Sequence, residues 1–383
     1  MTLAAWADNL QDQEAKILSQ LEIYETRATA RVEFEKTLRA LRTYSFEQLL
    51  LKDREPLGTV CVALPFNNPL YSLVLYACGP LLAGNHVRCR PSSLTKRALQ
   101  GIEKTFPEEF ERLGFTVDHS GGLEFIEAAA READCLIFTG SWKNVQSISS
   151  TYGRKLIYCG PGLNPFIVLR DAKIDVTVEA ALEERLFNSG QDCLAAERFY
   201  VHDSKIDEFV AGVASAVDNI SVGYDPTCDV GPLVSEAAAT HLQRLMTTEW
   251  HSRRTVRAGS VTGQLVTPSV YATTLDDPLL ASEKYGPIFV IASYSDEREL
   301  GRILNSSDFL LGVTVYGDSG FEELGLEYPH IAHNESLLKV EGVDAHVPFG
   351  GRRKSGFVKM GADLIKDGPI LFSIETSRST KND

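Results

Sequence analysis

The sequence predicts an α/β protein: an all-helical lead-in followed by two blocks in which strands alternate with helices. Three observations predict it. No glycine or proline occurs before Pro56, and apolar residues there recur at helical spacing. After Gly58, short strand-like runs alternate with helical stretches, the pattern of a parallel sheet with crossover helices. The turn Gly160-Pro161-Gly162 then interrupts the chain, and a second alternating block begins.

In the lead-in, over residues 3–52, Leu3, Trp6, Leu10, Ile17, Leu18, Leu21, Phe34, Leu38 and Leu41 fall at helical spacing. The first block should carry strands at Thr59–Leu64, His86–Arg90, Asp134–Phe138 and Lys155–Cys159, with helices at 69–82, 94–107 and 141–150. The second should carry strands at Phe166–Leu169, Arg198–Val201, Pro287–Ser293 and Gly312–Tyr316, with helices at 174–188, 204–217 and 234–249. A domain boundary is expected at residues 160–165, and Ser377–Asp383 reads as a frayed tail. Open parallel sheets bind ligands beyond the carboxyl ends of their strands, so those turns are where site residues are sought.

A chain of 383 residues is long enough for two or three domains and a large core. Its net charge of −14 argues against a nucleic-acid backbone or an anionic membrane as partner. The seven cysteines are widely spaced and form no CxxC pair, which points to a reduced, cytoplasmic protein without a disulfide framework or zinc site. The N-terminus lacks the pattern of a signal peptide, and the longest apolar run, 69–83, is too short to span a bilayer.

The most informative stretch is Phe187-Asn188-Ser189-Gly190-Gln191-Asp192-Cys193. It sets one cysteine just past a helix and a small-polar turn, where a thiol can act as a nucleophile. A cysteine that only packs as a small hydrophobe is the plainer alternative. Pro65-Phe66-Asn67-Asn68-Pro69-Leu70 ends a strand and opens a helix, so an Asn amide there can face a developing oxyanion, although Asn-Pro is also ordinary turn chemistry. Phe138-Thr139-Gly140-Ser141 places N–H groups and a hydroxyl at a helix start, a setting suited to phosphate, without any GxGxxG fingerprint. Gly350-Gly351-Arg352-Arg353-Lys354-Ser355 fails the P-loop spacing, and His330 with His333 lacks further ligands, so no metal site is expected.

Taken in order, these motifs resemble the aldehyde dehydrogenase family. The resemblance runs through REPLG at 54–58, PFNNPL at 65–70, AGNHVRCRPSS at 83–93, FTGS at 138–141, NPFIV at 164–168, FNSGQDC at 187–193, GPL at 231–233, SEKYGPI at 282–288 and PFGGRRKSG at 348–356. It implies an NAD(P)-dependent oxidoreductase with a dinucleotide-binding parallel-sheet domain over 1–160 and an α/β catalytic domain over 161–357. A C-terminal return and oligomerising tail would cover 358–383, with residues 47–58 open to assignment to the same oligomerising β arm. By position, Cys193 matches the nucleophile and Asn67 the oxyanion amide, acting with the Cys193 N–H. Ser141 matches the start of the pyrophosphate helix, and Glu283 the carboxylate that holds the nicotinamide-side ribose. Arg90, Ser93 and Pro65 complete the implied cofactor set. The resemblance also implies a homodimer or homotetramer.

The departures are as informative. The family's general base is a glutamate 34 positions ahead of the nucleophile, which falls here on Cys159. Near the FTGS turn the family's later glycine is replaced by Val145 or Gln146, with bulky Trp142 beside it, and the strands that usually precede the helical lead-in are missing. Ser93 replaces an acidic residue common in NAD-preferring members. With Arg90 beside it, NADP(H) is favoured over NAD. Hydrolysis of a thioester needs a base to activate water, whereas a thiol such as coenzyme A or a carrier-protein arm is already partly ionised near neutral pH. The expected activity is therefore aldehyde oxidation coupled to acylation of a thiol, or reduction of an acyl thioester. Hydrolytic oxidation to the acid and a pseudoenzyme scaffold with impaired cofactor binding are the alternatives. Asn68 and Asp192, flanking Asn67 and Cys193, hint at a polar substrate. Cys159 and Cys193 would pair as a disulfide only if their Cα atoms lay within about 7 Å, and two reduced thiols are the better reading.

Overall fold

The computed structural model describes residues 2–51, 54–339, 349–361, 363–365 and 373–375, with residues 47–50, 363–365 and 373–375 described by backbone alone. Pro348 of the PFGG motif and the tail Ser377–Asp383 lie outside the described residues.

Two seven-stranded sheets organise the chain. Across the first the order is Asp363–Ile365, Gly356–Met360, Lys155–Cys159, Cys135–Thr139, Thr59–Ala63, His86–Arg90 and Phe115–Val117. The last five run parallel, as the alternation predicts, while Gly356–Met360 and Asp363–Ile365 close one side antiparallel. In the second sheet the order is His330–His333, Gly312–Tyr316, Asn164–Val168, Ala196–His202, Ile288–Tyr294, Ser269–Thr273 and Arg254–Arg257. Only its last strand is antiparallel. Asn164–Val168 is buried at every position, which is why it reads as an unbroken apolar run without alternation. A further two-stranded pairing joins Arg54–Pro56 to Ser373–Glu375.

The lead-in folds as helices Leu3–Asp12, Glu14–Leu21 and Arg27–Thr43. All nine apolar residues picked out by periodicity are buried, in one cluster with the first sheet. Trp6 anchors it, with the rings of Phe110 and Phe115 each 5.8 Å away. Burial of each such side chain contributes about 1.5–3 kcal/mol.

Two expected helices change on folding. The stretch 94–107 forms a helix only over Lys96–Thr105, and a second helix, Pro107–Leu113, starts at Pro107. Proline lacks the N–H that would continue the first helix but suits the first turn of the next. The helix expected over 174–188 stops at Leu186, because Asn188 and Ser189 adopt left-handed conformations. The strand Phe115–Val117 and the helix Gly122–Glu132 gave no signal strong enough to name. Among the described residues no helix is long and apolar enough to cross a membrane.

Glu184, on helix Ile174–Leu186, is fully buried between the sheet and the segment after it. Its carboxyl accepts the Thr314 hydroxyl at 2.9 Å and the Leu337 N–H at 2.8 Å. Burial pushes it up from 4.5 to about 8, against the opposing pull of these hydrogen bonds. Between those values the folded state holds a proton that the unfolded chain releases. The stability this group contributes is therefore fully present below pH 4.5 and is lost as pH rises through 8. Glu184→Gln should flatten the fall in melting temperature over that interval, an effect worth a few kcal/mol. Titrating the melting temperature of both proteins checks this, and parallel curves would refute it.

Candidate active site

In the first sheet the parallel strands present their carboxyl ends at one edge, and most of the expected site residues lie there. Thr59–Ala63 leads into Pro65 and Asn67, His86–Arg90 into Ser93, Cys135–Thr139 into Ser141, and Lys155–Cys159 ends on Cys159 itself.

The first of these turns is held unusually. Asn68, the cap of helix Pro69–Leu82, has φ 47° and ψ 60°, and its side chain makes no capping bond. A left-handed conformation is tolerable for Asn because its short amide can find partners nearby. The free N–H groups of the helix are taken by another helix instead: the buried Glu33 carboxylate accepts from Leu70 at 2.6 Å and Tyr71 at 2.8 Å. A carboxylate at a helix N-terminus gains from both hydrogen bonding and the helix dipole. Burial nevertheless pushes Glu33 up to about 7, and the adjoining Glu25 is pushed well above the carboxylate range by burial and then by Glu33.

The turn before Cys193 is built from three consecutive left-handed residues, Asn188, Ser189 and Gly190. A side chain at position 190 would strike the Gly286 backbone at 2.6 Å, so only glycine fits this close approach. Gln191 ties the turn down, its Nε2 donating to the Asn188 carbonyl at 3.3 Å and its Oε1 accepting from Val234 N–H at 2.8 Å. Asn164 holds the other side: its Nδ2 donates to the Cys193 carbonyl at 2.7 Å and the Ala195 carbonyl at 3.1 Å. Cys193 itself is half-buried.

The two turns meet directly. Asn68 Nδ2 donates to Asp192 Oδ2 at 2.6 Å, so Asn67 and Cys193 each stand one residue from the same hydrogen bond. Tyr285 completes this wall. Its ring lies 5.6 Å from Phe66, and burial, then the facing Cys193 and Asp192, push its hydroxyl well above the ordinary range. Asp192 Oδ2 and Asn68 Nδ2 therefore bond each other, Asp192 Oδ1 accepts Leu194 N–H, and the two residues are 1% and 4% exposed, which removes exposure as a basis for reading them as a polar face toward substrate.

Cys159 is buried, and burial pushes its thiol up to about 11, with a Tyr76 hydrogen bond acting in the opposite direction. A thiol raised in this way is mostly protonated near neutral pH, which makes it a weak general base. None of the seven cysteines, Cys159 and Cys193 included, forms a disulfide.

Glu283 is half-buried and pushed up to about 8 by burial first and Glu197 second. A carboxyl in this range can both donate and accept toward a sugar hydroxyl. Glu197 is the hidden anchor of this loop. Fully buried, it accepts N–H groups from Lys284 at 2.7 Å and Tyr285 at 3.0 Å and pairs with Arg185 at 2.8 Å. Arg90 Nε donates to the Ser120 carbonyl at 3.3 Å, and its guanidinium lies against Gly122 at the start of helix Gly122–Glu132. Ser93 is exposed, and Ser141 caps helix Trp142–Thr151 by accepting the Asn144 N–H at 3.3 Å. Trp142 packs its ring against Tyr158 and Phe357, at 6.1 and 6.2 Å, and Val145 is buried in the same cluster. His330 and His333 stack on Phe349 and Phe321.

Sequence reasoning named Asn67, Cys193, Cys159 and Glu283 but missed Glu33, Glu197 and the anchoring role of Asn164. The run NPFIV contains Asn164, yet nothing local distinguishes an amide that bridges two turns from one that ends a strand.

Comparison with known proteins agrees with this architecture. A model of the aldehyde dehydrogenase family matches residues 5–367. The succinate-semialdehyde dehydrogenase (NADP(+)) of Deinococcus radiodurans is 32% identical over 336 residues, which cover 83% of this chain and 69% of that protein. A lactaldehyde dehydrogenase of Methanococcus vannielii is 28% identical, over 91% of this chain and 76% of its own length. Among solved structures, glyceraldehyde-3-phosphate dehydrogenase of Methanocaldococcus jannaschii, in complex with NADP, has a TM-score of 0.85 at 24% identity, covering 94% of this chain and 84% of its own.

Proposed function

We propose that this chain, which belongs to the aldehyde dehydrogenase family, oxidises an aldehyde through a thioester on Cys193 and passes the acyl group to a thiol. The single observation that carries the reading is Cys159, an un-ionised thiol at the position of the hydrolytic base.

The residues at the carboxyl ends of the first sheet's parallel strands suit a dinucleotide. A helix N-terminus capped by Ser141 fits a pyrophosphate, Arg90 and the exposed Ser93 fit a 2′-phosphate, and Glu283 fits a ribose. Pro65 lines the turn between them. The relatives named for NADP(+) support the same preference, NADP(H) over NAD. When bound, the nicotinamide supplies a hydride acceptor.

The Cys193 thiolate adds to the aldehyde carbon, and the new alkoxide is held by the Asn67 amide and the Cys193 N–H. Loss of hydride leaves the thioester. A second thiolate then attacks its carbonyl, the Cys193–acyl bond breaks, and Cys193 leaves as thiolate while the acyl group leaves on the new sulfur. The reverse sequence reduces an acyl thioester. Water is the slow competitor, because no ionised group at position 159 takes its proton. Coenzyme A or a carrier-protein arm supplies a thiol of this kind.

Adding coenzyme A or pantetheine to enzyme, aldehyde and NADP should raise steady-state NADPH formation at least tenfold, with the acyl group recovered as a new thioester. Equal rates with and without thiol, and release of free acid, would overturn the proposal in favour of hydrolytic oxidation.

A further inference from the structure

The Asp192 carboxylate straddles the nucleophile. Its Oδ1 accepts the Leu194 N–H at 2.8 Å, on the far side of Cys193, and its Oδ2 accepts the Asn68 amide at 2.6 Å, next to Asn67. Both residues are almost wholly buried, so water does not compete for the bond. The pair is separated by 124 residues in the chain, and it joins two turns that are each in left-handed backbone. Asn68 gives its amide to this contact and leaves the capping of its own helix to Glu33.

We infer that Asp192 and Asn68 are positioning residues, a clamp that sets the Asn67 amide against the Cys193 thiol. The inference rests on the roles proposed for Cys193 and Asn67. Neither Asp192 nor Asn68 touches the reacting atoms; they act through their neighbours. An oxyanion donor displaced by about 1 Å loses on the order of 10²-fold in rate, so a short buried bond between the two turns has kinetic leverage.

The bond has a polarity that can be reversed. In Asp192→Asn the new Oδ1 keeps the Leu194 bond, and a flip of the Asn68 amide, whose buried Oδ1 has no other partner, offers the new NH2 an acceptor, so a neutral amide pair replaces the charged bond. In Asn68→Asp, two carboxylates face each other. The exchange variant, Asn68→Asp with Asp192→Asn, restores one donor and one acceptor. Aspartate, like asparagine, tolerates the left-handed conformation at 68. The neighbouring Glu25 is held well above the carboxylate range by burial and Glu33.

The test measures two rates on Cys193 in all four proteins: acylation by an activated ester, followed by intact mass, and alkylation by iodoacetamide. Asp192→Asn, which can re-form the bond by an amide flip, should acylate within about fivefold of wild type, whereas Asn68→Asp, with two facing carboxylates, should acylate at least thirtyfold more slowly with unchanged KM for NADP. The Asn68→Asp alkylation rate should shift at least threefold, and the exchange variant should recover both rates to within about fivefold of wild type. A role in folding alone would lower melting temperature without such recovery of rate. Asn68→Asp at the wild-type rate, or an exchange variant no faster than Asn68→Asp, overturns the clamp. If wild-type Cys193 is not acylated at all, the proposed function fails, and the clamp is then decided by whether the alkylation rates are restored by the exchange.

Discussion

Replacing Cys193 by alanine should lower NADPH formation from any accepted aldehyde by at least about 10³-fold while leaving NADP binding intact. The reasoning is that no neighbouring group can replace the nucleophile. Cys159 is a buried thiol held at about 11, and Asp192, one residue away, has its two oxygens committed to Asn68 and Leu194. Loss of a covalent catalyst typically costs three or more orders of magnitude, with residual rate left to binding and electrostatics. Binding is read from the tryptophan fluorescence on titration with NADP, and turnover from absorbance of the reduced cofactor. Near-normal turnover in Cys193→Ala would remove this residue from the chemistry.

The second large effect is a gain. Cys159→Glu should allow oxidation without an added thiol and raise the rate of free-acid release about 10²-fold. A general base contributes about 10²–10⁴-fold, most effectively when its pKa lies near the working pH. The burial that pushes the thiol at 159 up should push a carboxyl there in the same direction, toward neutrality. The glutamate is larger than the cysteine, so melting temperature is measured alongside to separate overpacking from chemistry. Acid release that stays at the parental level in a folded variant would sink the claim that a missing base limits hydrolysis.

These two predictions use what was legible in the chain before folding. The lead-in was readable because burial along a helix repeats every three to four residues, and all nine residues so marked are buried. The parallel sheets were readable because short strand-like runs alternate with helical stretches, and buried strands such as Asn164–Val168 show a largely apolar core, Phe166 to Val168. The left-handed turn before Cys193 was foreshadowed by Asn-Ser-Gly but shortened the expected helix by two residues. The break at Pro107 was a misjudged boundary, since a proline can open a helix as readily as end one.

The candidate site divides the same way. Cys193, Asn67, Cys159 and Glu283 sit in short motifs whose residue types carry meaning by themselves. Glu33 and Glu197 do not. Each is an ordinary carboxylate in its own segment and becomes an anchor only where Leu70, Tyr71, Lys284 and Tyr285 approach from elsewhere in the chain. That Asn68 and Asp192 face each other was equally invisible, because side-chain direction is a tertiary property.

By itself the sequence determined the alternation of strands and helices, the family to which the chain belongs, and the identity of the thiol and amide set at two turns. Periodicity and turn chemistry act over a few residues, so they survive being read one segment at a time. Only the tertiary structure decided which carboxylates hold those turns, and which groups are charged. Cys159 lies near 11 and Glu283 near 8 because other segments exclude water from them. Desolvation depends on everything packed around a group, and no local stretch of sequence contains that information.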